Sequence, residues 1–317
     1  MNEGAQSSIA PTDKDLRWVL AALAAVLALQ IELIWSRPVN WDEFFHLSEA
    51  HAFARGELTE LLQVFYARTF FWLGWLGIDE IGQICLARLF MLGCELVTCA
   101  AIVGMARRFA GLVPALLAAL AYLSAGYVLQ HGVSFRADPM LAAALMAALW
   151  IFLQSRLNWG ALFAVALLCA MAVLISIKLV LFAPAFAAVG WIRWREAADK
   201  AWLIRRAIGL TLMTAALAGL LVWLTALTLP RIDPAGGRDA ARSLSSAGTM
   251  MFNLGLFPRW PYLVGALGTA PMLALFLLRT IGLIRAGKIE RDAKIAALLL
   301  IAPLASVAFY ANSFPYF

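Results

Sequence analysis

Asn40-Trp41-Asp42-Glu43-Phe44-Phe45-His46 follows closely on an apolar run at 16–35, and these two stretches together decide the fold. The run has about the 20 residues that a helix needs to cross a hydrocarbon layer ~30 Å thick. The heptapeptide then opens on an acidic pair at what reads as the start of a helix, where a carboxylate caps free N–H groups and meets the positive end of the helix dipole. Further apolar runs lie at 84–106, 112–130, 139–153, 161–177, 179–194, 207–229, 262–284 and 295–310, so nine membrane helices are expected. Of the 317 residues 63% are hydrophobic and 14% charged, far from the soluble average. The fold class is therefore an all-α polytopic membrane protein, a single bundle over 1–317 with helices lying in the interface in its first outer loop.

Charge distribution argues against nucleic acid as a partner. The net charge is +6, but the basic residues concentrate in alternate connections, Arg107, Arg108, Arg193, Arg195 and Lys200 among them, as charges that set membrane orientation do. That pattern puts the N-terminus inside and Asp42 outside, the inner membrane of a bacterium being the expected location. Residues 1–15 are polar and lack a signal-type cleavage site. Cys85, Cys94, Cys99 and Cys169 all fall inside apolar runs without metal-type spacing and read as small buried hydrophobes.

Two outer segments are long, 36–83 and 230–260. In the first, Phe44, Phe45, Leu47, Ala50 and Phe53 recur at helical spacing up to a break at Gly56, and a second aromatic piece follows at 64–72. Both are too short to span and read as interfacial helices, with rings at the water boundary. The second long loop, rich in Gly and Pro, is read as mobile.

Three groups of residues carry chemistry. Asp42 and Glu43 fit a helix start, or a general base shielded by Trp41, Phe44 and Phe45. Ser134-Phe135-Arg136-Ala137-Asp138-Pro139 forms a short outer turn in which Pro139 can start a helix with Asp138 as its cap. Capping does not call for Arg136, whose planar cation can hold a phosphate. Lys178 occupies the next outer turn, and Arg259 lies at the end of the second long loop; both are candidates for an anionic head group. Asp42 and His46, at i and i+4, could ligate a divalent cation but lack an evident third ligand. No cofactor is required by these readings, and a divalent metal stays open. Arg88 and Glu95 lie inside the second run and should serve in structural pairing.

In order and distance, Trp41-Asp42-Glu43-Phe44-Phe45-His46-Leu47, the Arg136-Ala137-Asp138-Pro139 turn and the Lys178 turn resemble the polytopic glycosyltransferases of the GT-C class. The nearest group is glycosyltransferase family 39, similar to the dolichyl-phosphate-mannose protein mannosyltransferases and the lipid A aminoarabinose transferases. The closing Tyr310-Ala311-Asn312-Ser313-Phe314-Pro315-Tyr316 also looks like the outer end of a later helix in that group. The resemblance implies an inverting transfer of a sugar from a polyprenyl-phosphate donor to an acceptor hydroxyl on the outer, periplasmic face. It implies Asp42 as base, Glu43 as its acidic neighbour and Asp138 as the second acidic position. Holding the carrier phosphate falls by charge and position to Arg136, Lys178 and Arg259. Members of the group usually carry more helices, so the resemblance also implies that C-terminal helices are lacking here.

A transporter or flippase for an anionic or lipid-linked substrate would use similar cations. Transporters, however, place charge near the bilayer midplane, often with inverted repeats. Here the charges gather at the outer boundary and no repeat is visible.

Overall fold

The computed structural model describes residues 12–58, 65–229 and 271–287. Every regular element in them is helical: α1 (Asp13–Ser36), α2 (Trp41–Ala54), α3 (Phe65–Phe70), α4 (Glu80–Ala106), α5 (Leu112–Leu123), α6 (Gly126–His131), α7 (Ala137–Gln154), α8 (Trp159–Ile175), α9 (Ala183–Glu196), α10 (Lys200–Leu227) and α11 (Pro271–Arg285). Two 3-10 stretches, Phe71–Trp75 and Ile177–Phe182, complete the set. Among these helices four, α1, α4, α7 and α10, are long and apolar enough to cross a membrane.

Local chemistry fixes the helix starts. Thr12 and Asp15 exchange hydrogen bonds as a capping box at α1, the Thr12 N–H donating to Asp15 Oδ2 over 2.8 Å. Asn40 and Glu43 do the same at α2, so the expected helix start there is real. Pro38 stops α1 by turning the preceding residue to extended backbone. Gly56, at φ 71°, ends the turn that follows α2, a conformation that only glycine adopts cheaply. The aromatic piece at 64–72 is α3 followed by a 3-10 turn.

Two expected spans are broken. The run 112–130 divides at Ser124-Ala125 into α5 and α6. The run at 179–194 begins as a 3-10 turn and becomes α9 only at Ala183, because Pro184 has no N–H to continue a helix begun upstream. Its 14 helical residues extend only ~21 Å. The run at 262–284 is described only from Pro271, and that at 295–310 lies outside the described residues, as do the whole of the second long loop, 230–260, and the closing heptapeptide.

α7 is the packing centre, set against α4 on one side and α8 on another, with α10 laid along α8 and α1 along α5 and α4. The interior divides into two clusters. At one end Leu47, Tyr66, Phe70, Ile84, Phe135 and Leu141 join the first-loop helices to the ends of α4 and α7. Toward the other end Leu149, Leu153, Leu162, Val165 and Val189 join α7, α8 and α9. The four cysteines are free and half-buried rather than fully enclosed.

The tie between the loop helices and the bundle is ionic. Arg88 of α4, 1% exposed, grips the fully buried Glu43 of α2 with two hydrogen bonds, Nε to Oε1 at 2.8 Å and Nη2 to Oε2 at 2.6 Å. Its remaining donors go to the carbonyl oxygens of Ile34, Arg37 and Pro38. Glu95, by contrast, meets no cation among the described residues and receives only a 3.5 Å contact from Gln30. Replacing Arg88 with Met leaves the Glu43 carboxylate buried without its counter-charge, which should cost about 3–5 kcal/mol. In detergent, Arg88→Met should unfold well below the parent, and adding Glu43→Leu should restore part of the loss; a double variant no better than the single one refutes the pairing as the source.

Candidate functional site

Three turns converge at the end of the bundle that carries α2. The first turn of α2 supplies Asp42, the start of α7 supplies Arg136 and Asp138, and the 3-10 turn after α8 supplies Lys178. Their side chains form one string of alternating charge. Arg136 Nη1 lies 3.0 Å from Asp42 Oδ2, Arg136 Nε lies 3.6 Å from Asp138 Oδ2, and Lys178 Nζ lies 2.6 Å from Asp138 Oδ1. The exposure of Lys178 is 46% and that of Asp42 26%, whereas Arg136 is 12% exposed. The two ends of the string are thus open to solvent and its middle is sheltered.

The backbone explains each placement. Glu43 accepts the Phe135 N–H at 2.9 Å while also holding Arg88 and the Asn40 N–H. The residue after Asp42 is therefore pinned to the residue before Arg136, which sets the two side chains opposite one another. The fully buried Phe135 ring packs edge-on against Phe70 at 4.8 Å and against His46 at 6.1 Å. Ser176 caps the 3-10 turn by accepting the Lys178 N–H at 3.3 Å and so turns Lys178 toward α7.

Asp138 is not the cap expected for α7. Arg136 occupies the cap position, no side chain caps there, and the Asp138 carboxylate in the first turn reaches sideways to Lys178, Arg136 and the Tyr127 hydroxyl, which donates at 3.2 Å. Glu43 also differs from the expectation: its oxygens are consumed by Arg88 and two backbone N–H groups, so it positions Asp42 rather than opening onto the site. Arg259 lies outside the described residues.

Neighbouring groups escaped the sequence reading. Arg37 donates to the Ser134 hydroxyl at 2.9 Å and meets His131 Nδ1 at 3.3 Å, adding a third cation beside the string. Tyr127 sits on α6 inside what reads as an unbroken apolar span and His131 one residue beyond that span, and only the break at Ser124-Ala125 brings Tyr127 to Asp138. Arg88 and Glu95 were expected to serve in structural pairing; Arg88 does so, but with Glu43 of the first loop, and Glu95 is left to Gln30.

His46 is enclosed by the rings of Phe45, Tyr66 and Phe135, and among the described residues no partner meets its Nδ1. Among the described residues no three His, Cys, Asp or Glu side chains gather as a metal site, so Asp42 and His46 have no third ligand there. Burial pulls the His46 imidazole down to about 4, outweighing the raising effect of Asp42. His131 is brought to about 4 first by burial and then by Arg136 and Arg37. Burial would raise Glu43, but the Arg88 hydrogen bonds, with the Phe135 and Asn40 amides, hold it below the usual carboxylate value.

Comparison with protein-family models, with curated proteins and with solved structures finds no match to this chain.

The two histidines set a pH dependence with a definite sign. Their folded values lie below the ordinary 6.5, so between about 4 and 6.5 the unfolded chain binds more protons, and stability is lost as pH falls through that window. The thermal midpoint in detergent should drop steadily from pH 6.5 to pH 4, and His46→Phe should flatten that slope. An unchanged slope in the variant removes His46 as a cause.

Proposed function

We propose that this chain is an integral membrane glycosyltransferase of the GT-C kind, transferring a sugar from a polyprenyl-phosphate donor to an acceptor hydroxyl. On this reading the bundle has nine spans, the N-terminus is cytoplasmic, and the string of charges faces the periplasm of a bacterial inner membrane. The observation that supports it is the meeting of Asp42, Arg136, Asp138 and Lys178, from three separate turns, at one end of an apolar helical bundle. A polyprenyl carrier cannot leave the bilayer, so its enzyme needs cations at head-group depth and a base beside them.

In the proposed reaction Asp42 accepts the proton of the acceptor hydroxyl while the oxygen attacks the anomeric carbon. The bond between that carbon and the phosphate oxygen breaks with inversion, and the electron pair leaves on the polyprenyl phosphate. Lys178 and Arg136 neutralise the charge that develops on the leaving phosphate, which is where such a site gains most of its rate. Lys178 is the more exposed cation and would exchange Asp138 for the phosphate, with Asp138 staying on Arg136. Tyr127 and Glu43 act on this arrangement through Asp138 and Asp42. A divalent metal is not needed for any of these steps.

The deciding measurement is transfer of a radiolabelled sugar from polyprenyl phosphate to acceptor in proteoliposomes. A transporter or flippase would move the labelled lipid across the bilayer without forming a new glycoside, and that outcome replaces this reading. Asp42→Asn keeps the shape and one acceptor oxygen but removes the base, so transfer should fall about 10²–10⁴-fold with the thermal midpoint held near the parent. Lys178→Ala should weaken donor binding about tenfold or more, as loss of one charge-assisted hydrogen bond does, with little change in stability because Lys178 is half exposed. Full transfer by Asp42→Asn, or unaltered donor affinity in Lys178→Ala, takes that residue out of the mechanism.

A further inference from the structure

One carboxyl group inside the bundle plays no part in the steps above. Glu95 is 1% exposed and lies near the middle of α4, one of the described helices long and apolar enough to cross a membrane. It shares a buried stripe of that helix with Arg88, Met91 and Thr98. Arg88, two turns or ~10 Å away along α4, is spent on Glu43, and no cation pairs with Glu95 among the described residues. The groups around it are Gln30 of α1, Thr98 and Cys99 of α4, Tyr122 of α5, whose hydroxyl meets Thr98, and the Val128 carbonyl of α6. Of these only Cys99 and Tyr122 titrate, and neither can become a cation. An ionised carboxylate would stand unmatched where that is expensive.

Gln30 shows what the carboxyl group lacks. Its amide is fully buried, with Nε2 3.1 Å from the Val128 carbonyl oxygen and 3.5 Å from Glu95 Oε1. A carbonyl only accepts, so the nitrogen of the amide belongs on that side and the place of its oxygen is fixed as well. Two atoms are then left without a partner among the described residues, Gln30 Oε1 and Glu95 Oε2. Each belongs to a group whose other atom is already in the contact, and both are acceptors while the acid is ionised. One proton on Glu95 turns Oε2 into a donor, and acid and amide then close a ring of two hydrogen bonds, N–H to Oε1 and O–H to the amide oxygen. A metal ion would need a space of its own between these oxygens, whereas a proton needs none. Gly132 makes room for the carboxyl group. A Cβ there would stand 2.4 Å from Glu95 Oε1 and 2.6 Å from the Val128 oxygen, although its φ of -57° is open to any residue. The missing side chain serves the close approach, as small residues do between helices in lipid.

We propose that Glu95 is a binding site for one proton, a carboxylic acid that donates its O–H to Gln30 Oε1 and so clasps α1 to α4 and α6. Little else holds α1: its buried residues are Val19, Gln30 and Ile34, while Trp18, Leu29 and Trp35 are exposed. A hydrogen-bonded polar pair supplies the attachment that apolar contact cannot supply between helices surrounded by lipid. The site rests on these three helices and on no step of sugar transfer.

The test uses the whole purified chain in neutral detergent near neutral pH. The infrared spectrum of the parent should contain the C=O band of an un-ionised carboxyl group, and Glu95→Gln should lose it. That variant keeps a donor on the same side chain, so its thermal midpoint should stay within a few degrees of the parent's, and Gln30→Leu should lower the midpoint by several degrees. Dicyclohexylcarbodiimide, an apolar reagent that needs an un-ionised acid, reads the same proton. The acid adds across one C=N bond, its oxygen bonding the central carbon and its proton passing to nitrogen. Nothing leaves, and the acyl group then moves to nitrogen without change of mass. Peptide mass spectrometry should find this adduct on Glu95 and none on Glu43, which is equally buried but paired with Arg88. A parent spectrum without a band that Glu95→Gln removes overturns the site. So does a midpoint of Glu95→Gln several degrees above the parent's, the sign of a buried charge relieved. A label suppressed by sodium chloride and not by choline chloride places a metal ion on these oxygens and overturns it too.

Discussion

The arrangement depends on one buried carboxylate. Glu43 gathers the Arg88 guanidinium from α4, the Phe135 amide from the turn before α7 and the Asn40 amide at its own helix start. Three elements distant in sequence thus meet at two oxygen atoms, in surroundings where an unmatched charge would be expensive. Such a pair adds little net stability over an apolar substitute, but it admits very few alternative geometries. Its product is registry. With residue 43 tied to residue 135, Asp42 and Arg136 have little choice but to face each other.

This separates the acidic pair into two duties that adjacency in sequence conceals. On a helix, neighbours point about 100° apart, so one carboxylate turns into the bundle while the other stays at its rim. Glu43 is fully buried and Asp42 about one-quarter exposed. The ring of Phe135, whose amide Glu43 holds, packs on Phe70 and His46 on the inner side. A carboxylate at the rim supported by a fixed ion pair beneath it is the layered construction that precise positioning requires.

Much of this was legible in the sequence, and the parts that were not have physical reasons. The capped start of α2, the break at Gly56 and the presence of turns at 134–139 and 175–178 follow from local rules, and all are found. The division of 112–130 escaped because Ser124, Ala125 and Gly126 are all tolerated inside a helix, and only packing makes them a break. The role of Pro184 was readable but was outweighed by the apolar run around it. Asp138 looked like a cap because Asp before Pro fits a helix start. Its turn toward Lys178 depends on a residue 40 positions later, which no local rule supplies. The partner of Arg88, 45 residues earlier in the chain, was hidden for the same reason.

At the α2 end, Arg136 and Lys178 are each matched to a carboxylate, so on the proposed reading an incoming anion has to displace Asp138 from Lys178 before it gains full contact. That exchange lowers affinity for any simple anion and favours a ligand that offers compensating contacts elsewhere, such as a sugar hydroxyl for the carboxylates. A site meant to turn over must discriminate and release, and internal ion pairs provide for both.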